Sequence, residues 1–168
     1  MPKAKSSVAA ELTNQAADAP HLLPLIEQVE ENLSQRPREV SADAGYFSEA
    51  NIMELGHVGV EAFIPPDKVK HSQWREAQAP KGRIPKNATV RERMRRKLKT
   101  KRGRARYKLR QTTVEPVFGQ IKQGRGLRQF LLRGLEKVRS SWRFDCAVHN
   151  LIKLFRAGVW VRPEGVRA

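Results

Sequence analysis

Tyr107-Lys-Leu-Arg-Gln-Thr-Thr-Val-Glu-Pro-Val-Phe-Gly-Gln-Ile-Lys122 sets one carboxylate, Glu115, in a neighbourhood of cations. The acid before it is Glu92, and the nearest cations are Lys108, Arg110 and Lys122. At about 100° per residue, Glu115 and Lys122 fall on nearly the same face of a helix. A carboxylate so placed can hold a divalent metal beside a polyanion, or can pair with the cations around it; spacing alone favours the ion pair. Pro116 has no N–H to donate, so the helix is expected to restart or kink beside Glu115. Gly103 is expected to separate this helix from the one before it, and Gly124 and Gly126 to end it.

Outward from that run, charge is the dominant feature. The 168-residue chain has a net charge of +16, and it is not spread evenly. Residues 66–110 hold 18 Lys and Arg against three acids, Asp67, Glu76 and Glu92, while the remainder is close to neutral. A charge that concentrated attracts a polyanion through counterion release, with steep salt dependence. The segment has little apolar side to insert into a membrane surface, so the partner it points to is DNA or RNA. Its helical part opens at Thr89 and runs to Thr100, with Val90, Met94 and Leu98 as a thin apolar edge. Arg91, Arg95, Arg96, Lys99, Lys101 and Arg102 are the candidate phosphate-binding cations there. From Asp67 to Asn87 the pattern is a long polar loop, in which Trp74 either stacks on a base or docks the loop on the core.

Upstream, the pattern alternates. Val8–Thr13 is expected to form a short strand. Asp18 and Pro20 signal a helix start, with Asp18 as its cap and Leu22, Ile26, Val29 and Leu33 as its apolar face. His21 sits in its first turn. Glu39–Asp43 reads as a strand that Gly45 stops, which puts Asp43 at a carboxyl edge where α/β sheets bind ligands. Ser48 opens a helix with Ile52, Met53 and Leu55 turned inward. Val60–Ile64 is the next strand. Strand, helix, strand, helix, strand is the pattern of an α/β sheet.

Downstream, the last helix carries two apolar stripes, Leu135, Val138, Trp142 and Cys146 on one side and Phe144, Val148, Leu151 and Phe155 on the other. Such a helix is expected to be largely buried. Asp145 reads as an ion-pair partner of an arginine, His149 as a satisfied polar residue, and Cys146 as buried filler. The single cysteine suits a reducing compartment. No apolar run approaches the roughly 20 residues that span a bilayer, and the start lacks the apolar region of a secretory signal. A cytoplasmic, nucleoid-associated protein is the expectation.

Three blocks together resemble the DDE-type transposases of bacterial insertion sequences. Tyr107, Arg110, Glu115 and Lys122 are similar to that family's C-terminal Tyr, Arg, Glu, Lys signature, except that four residues rather than three separate Arg110 from Glu115. Val40-Ser-Ala-Asp-Ala-Gly-Tyr-Phe-Ser-Glu-Ala-Asn51 resembles the segment around the second catalytic Asp, here Asp43. Arg125–Val138 is similar to the closing segment. The resemblance covers most of residues 8–157.

It implies a partial ribonuclease H-like fold: a short mixed sheet with flanking helices, a basic helical insertion at 66–106 and a long C-terminal helix, within one domain over 7–157 and tails at 1–6 and 158–168. It further implies that Asp43 and Glu115 are catalytic and hold Mg²⁺ or Mn²⁺, and that Tyr107, Arg110 and Lys122 contact DNA at the ends of an insertion sequence. Chemistry of this kind uses divalent cations to activate an attacking oxygen and stabilise a leaving one. The family's first Asp lies on an opening strand upstream of Val8, so the expectation is a truncated transposase, catalytically incomplete and inactive in DNA cleavage and transfer on its own. A homo-oligomer is also allowed. The competing reading is a non-catalytic basic DNA-binding remnant.

Overall fold

The strand of Glu39–Ser41 (β1) and that of Glu61–Phe63 (β2) pair in parallel, and this short ribbon positions the rest of the N-terminal half. In the computed structural model, residues 6–68 and 82–158 are described; Trp74 and most of the expected basic loop lie outside them. The chain divides into two compact units, Gln15–Pro116 and Met1–Asn14 with Val117–Ala168.

In the first unit, a one-turn 3-10 helix, Ala19–His21, leads into α1, Leu22–Leu33. Asp18 precedes this turn as expected but not as a side-chain cap. Its backbone carbonyl accepts from His21 N at 3.0 Å, and its carboxylate lies against Gly45, where a Cβ would collide with it. Leu22 and Ile26 of α1 are buried, and the helix closes on Ser34 in the left-handed conformation. Between the strands runs α2, Glu49–His57, capped by the Ser48 hydroxyl, which accepts from Asn51 N at 3.0 Å. Leu55 points inward as expected, but Met53 is exposed and the buried Asn51 takes a core-facing position. Asn51 and Leu55 share a face because they are four residues apart.

The parallel register sets Glu39 directly beside Glu61. Like charges opposite one another destabilise a strand pair. Here the helices that follow compensate. Arg102 bridges both carboxylates, Lys97 reaches Glu61 at 3.0 Å and Arg106 reaches Glu39 at 3.1 Å. The sheet edge therefore dictates where the basic helices sit. These are α3, Val90–Lys99, and α4, Lys101–Thr113. Thr89 caps α3 in a full capping box with Glu92, and Thr100 caps α4 by accepting from Gly103 N at 3.0 Å. The break falls at Thr100, not at Gly103. Gly103 lies inside α4 because the two helices approach so closely that a Cβ there would collide with the Lys97 carbonyl. Of the expected apolar edge Val90, Met94 and Leu98, the last two join Leu22, Ile26, Leu55, Val60, Phe63 and Ile64 in one core.

Helix α4 stops at Thr113, and a short α5, Glu115–Gly119, starts afresh at Glu115 with Pro116 in its first turn. A π turn, Gln120–Gly124, follows.

The second unit is built on α6, Leu135–Arg156. Trp142 stacks on Phe118, with centroids 5.7 Å apart, and meets Phe130 edge-on at 6.4 Å. Cys146 and His149 are buried on the same side. The second stripe is not buried: Phe144 is 70% exposed and Leu151 66%. His149 differs from expectation too, since its Nε2 is buried with no hydrogen-bond partner among the described residues. Asp145 pairs with Arg125 as expected, at 3.4 Å. Residues 8–13 form no strand. Their neighbourhood is fastened to α6 by side chains instead. Asn150 accepts from Ser7 N at 2.7 Å and donates to Ser7 O at 2.6 Å, and Arg139 donates to Leu12 O at 3.3 Å. Glu11 pairs with Arg139 at 2.5 Å and Arg143 at 3.0 Å. The expected mixed sheet is thus a two-stranded parallel ribbon among the described residues. A small parallel sheet flanked by helices is an α/β arrangement.

Candidate catalytic carboxylates and basic surface

Asp43 stands two residues beyond the carboxyl end of β1 and opens a second 3-10 turn, Ala44–Tyr46, its carbonyl accepting from Tyr46 N at 3.0 Å. This turn is fixed by a residue that sequence reading passed over. The buried Asn51 amide donates to Tyr46 O at 3.2 Å and to Ala19 O at 2.8 Å, tying both 3-10 turns to α2. The signal was available: an amide four residues before the fully buried Leu55 sits on an inward face, where it must find partners.

Glu115 begins α5, 72 positions later in the chain, yet it and Asp43 meet the same side chain. Arg110 forms an ion pair with Asp43, Nη1 to Oδ1 at 3.0 Å, and its Nη2 lies 4.0 Å from Glu115 Oε1. Both carboxylates are more than half exposed, whereas the Arg110 side chain is only 20% exposed. Its Nε is buried without a hydrogen-bond partner among the described residues. Tyr107, one turn earlier on α4, packs against the core and lies under the guanidinium, 5.5 Å from Cζ to ring centroid. Burial raises the Tyr107 phenol above its ordinary value; the Arg110 charge opposes this, and Asp43 and Glu115 add to it. Burial also raises Tyr46, with Asp18 and Asp43 contributing. Both phenols therefore stay neutral at physiological pH and serve as walls or hydrogen-bonding groups. Lys122 belongs to the second unit, its ammonium 5.9 Å from the Phe118 ring centre.

Does this set suit a divalent cation? Among the described residues, no three or more His, Cys, Asp or Glu side chains group closely enough to hold a metal. The available donors are two carboxylates. Mg²⁺ takes one or two carboxylates when water and substrate phosphates fill its other positions. Two exposed carboxylates that both face the Arg110 guanidinium have the donor chemistry for a single ion of this kind.

The cations assigned to phosphate divide into two sets. Arg91 and Arg95 pair with Asp67, at 3.2 and 2.6 Å, and Arg102 is held by Glu39 and Glu61. The Arg95 hydrogen bond is the main reason Asp67 lies below its ordinary pKa. Burial would raise Glu61, but hydrogen bonds and charges from Lys97 and Arg102 bring it below its ordinary value. Arg96 donates to Gly82 O, and Arg93 donates to Ala88 O and Lys86 O, so these guanidiniums pin the residues before α3. Lys99 and Lys101 are exposed and make no ion pair among the described residues. A cavity of about 430 Å³ opens between residues 84–88 and α3, with Arg95, Arg96 and Lys99 on its wall. No helix among the described residues is long and apolar enough to cross a membrane.

No curated protein and no solved structure matches the chain. A family model for the transposase DDE domain matches residues 72–155, a stretch that holds Tyr107, Arg110, Glu115 and Lys122 and amounts to half of the sequence. The chain belongs to the transposase DDE domain family.

Proposed function

We propose that this chain supplies the second and third carboxylates of a DDE transposase catalytic site, Asp43 and Glu115, within a partial ribonuclease H-like domain spanning 7–157. The observation that carries the reading is that these two residues, far apart in sequence, converge on Arg110. Asp43 opens the 3-10 turn just past β1, its carbonyl held by Tyr46 N, and Glu115 is the first residue of a helix. When bound, a divalent cation would neutralise charge on a phosphate and lower the pKa of a coordinated oxygen. Asp43 and Glu115 would hold it. Tyr107 would shape the floor of the site, and Arg110 and Lys122 would meet DNA phosphates. Lys99, Lys101 and the cavity wall at Arg96 would carry the backbone of the same DNA, an insertion-sequence end. Work on chromosomal DNA implies a cytoplasmic, nucleoid-associated protein.

Two carboxylates with one ion cannot provide the paired-cation arrangement that in-line strand transfer uses. The chain alone is therefore expected to bind DNA without cutting or joining it. A plasmid-nicking assay with Mg²⁺ or Mn²⁺ tests this. Wild-type protein should leave supercoiled DNA intact while its DNA affinity rises with the metal, and that rise should vanish in Asp43→Ala and Glu115→Ala. Strand breaks that disappear in the same two variants would overturn the inactivity. DNA binding indifferent to EDTA and to both substitutions would overturn the site.

A further inference from the structure

We propose that Arg110 guards the carboxylate pair: its guanidinium takes the place between Asp43 and Glu115 that a divalent cation needs, and the cation binds by displacing it. The inference rests on the reading of Asp43 and Glu115 as the metal-holding pair. Three observations carry it. First, the guanidinium addresses both carboxylates at once, at 3.0 and 4.0 Å, so a cation reaching both must contend with its charge. Second, the hold is unequal. The Asp43 contact is a close ion pair at 3.0 Å, whereas the Glu115 contact, at 4.0 Å, is at the outer edge of one. Third, Arg110 Nε is buried and makes no hydrogen bond among the described residues, so the guarding position leaves that donor unmet. A phosphate oxygen accepts such donors in bidentate pairs.

These observations give the site a defined response. A guanidinium does not lose its proton at accessible pH, so it leaves the carboxylates only for another anion or under competition from another cation. A DNA phosphate provides the anion. Metal and DNA are then coupled: phosphate draws Arg110 away and opens the carboxylates, and the metal frees Arg110 for phosphate. By linkage, each must tighten the other by the same factor. A polyanion is then required for tight metal binding, so the free protein is a poor metal binder by construction.

The test is Mn²⁺ binding to the full chain without DNA, followed by the paramagnetic resonance of free Mn²⁺. Arg110→Gln removes the charge, and the affinity should rise at least about five-fold, as loss of one positive charge about 4 Å away implies even at high dielectric. Arg110→Lys retains a cation that cannot span both carboxylates, and should fall between wild type and Arg110→Gln. Thermal melting is a second measurement. Without metal, Arg110→Gln should melt below wild type, and saturating Mn²⁺ should raise its midpoint by more than it raises the wild type's. Asp43→Asn and Glu115→Gln should each weaken Mn²⁺ binding. If these two weaken it while neither Arg110 variant tightens it, the guard is overturned and the carboxylate pair stands. If Asp43→Asn and Glu115→Gln bind Mn²⁺ like wild type, the carboxylate pair itself falls, and the guard with it.

Discussion

Gly103 is set by contact rather than by conformation. It is buried in α4, its amide caps onto Thr100, and any Cβ would meet the backbone of α3 at Lys97. Backbone cannot rotate away as a side chain can. Gly103→Ala should therefore cost about 1–3 kcal/mol, the usual range for overpacking, although alanine is the better helix former. Gly56 in α2 is the control, because nothing lies within 4 Å of a Cβ built there. Gly56→Ala should be neutral or stabilising by up to about 1 kcal/mol. Urea unfolding midpoints of both variants check the pair; a stabilising Gly103→Ala would show that α3 and α4 do not approach so closely. Sequence reading took Gly103 for a helix break because glycine has two meanings in a helical stretch, a stop or a close approach. Only the partner across the contact distinguishes them, and a single sequence does not name that partner.

At the scale of elements, the periodic patterns were legible wherever one core decided burial. The α1 stripe at Leu22 and Ile26, the α3 stripe at Met94 and Leu98, the Thr89 cap, both parallel strands and the fresh start at Glu115 follow from apolar spacing, capping chemistry and the missing N–H of Pro116, whereas Leu33, expected on the α1 face, is exposed at the helix end. Burial of α6 was read only in half. Two stripes predict a helix covered on both sides, yet among the described residues Cys146 and His149 are buried and Trp142 stacks on its neighbours, while Phe144, Leu151 and Phe155 are each more than half exposed. Periodicity states which faces are apolar, not whether anything covers them. Residues 8–13 misled for a related reason: short apolar runs suit a strand, but Asn150 and Arg139 satisfy backbone groups nearby from the side. A pair of substitutions tests the one-sided reading of α6. Trp142→Ala removes the stacking on Phe118 and Phe130 and should cost about 2 kcal/mol or more. Phe144→Ser, on the exposed stripe, should stay within about 0.5 kcal/mol. Equal losses in chemical denaturation would mean that both faces are packed.

For the whole molecule, stability has two acid-side windows. Burial, with Lys153 and Arg125 nearby, lowers the His149 pKa from its ordinary 6.5. The unfolded chain then takes up a proton before the folded one does, so stability falls as pH drops below about 6.5. Glu61 and Glu11 are also lowered, from an ordinary 4.5, so their contribution is complete above that value and is lost as pH falls below it. Melting temperatures between pH 3 and 8 should show both steps. His149→Gln should flatten the upper step alone, and Glu61→Gln should shrink the lower one; a single step unaltered by His149→Gln would place that imidazole in water. The charge that was the clearest signal in the sequence is itself partly consumed by this architecture. Composition showed 18 Lys and Arg in residues 66–110, but not that the Glu39–Glu61 register and Asp67 would hold several of them, because strand register is invisible in composition. Counterion release counts only cations free to meet phosphate. The dependence of DNA affinity on salt should thus correspond to far fewer ions than the formal charge suggests. Replacing Lys99 and Lys101 together by alanine should reduce the slope of log affinity against log salt by about two, with little effect on folding. Arg102→Ala should leave that slope nearly unchanged and lower the melting temperature instead, because it leaves Glu39 facing Glu61. Fluorescence anisotropy with a labelled duplex from 50 to 300 mM salt, roughly the range over which such slopes are measured, separates the two. A slope that falls with Arg102→Ala but not with the lysine pair would reverse the division of labour between sheet and phosphate.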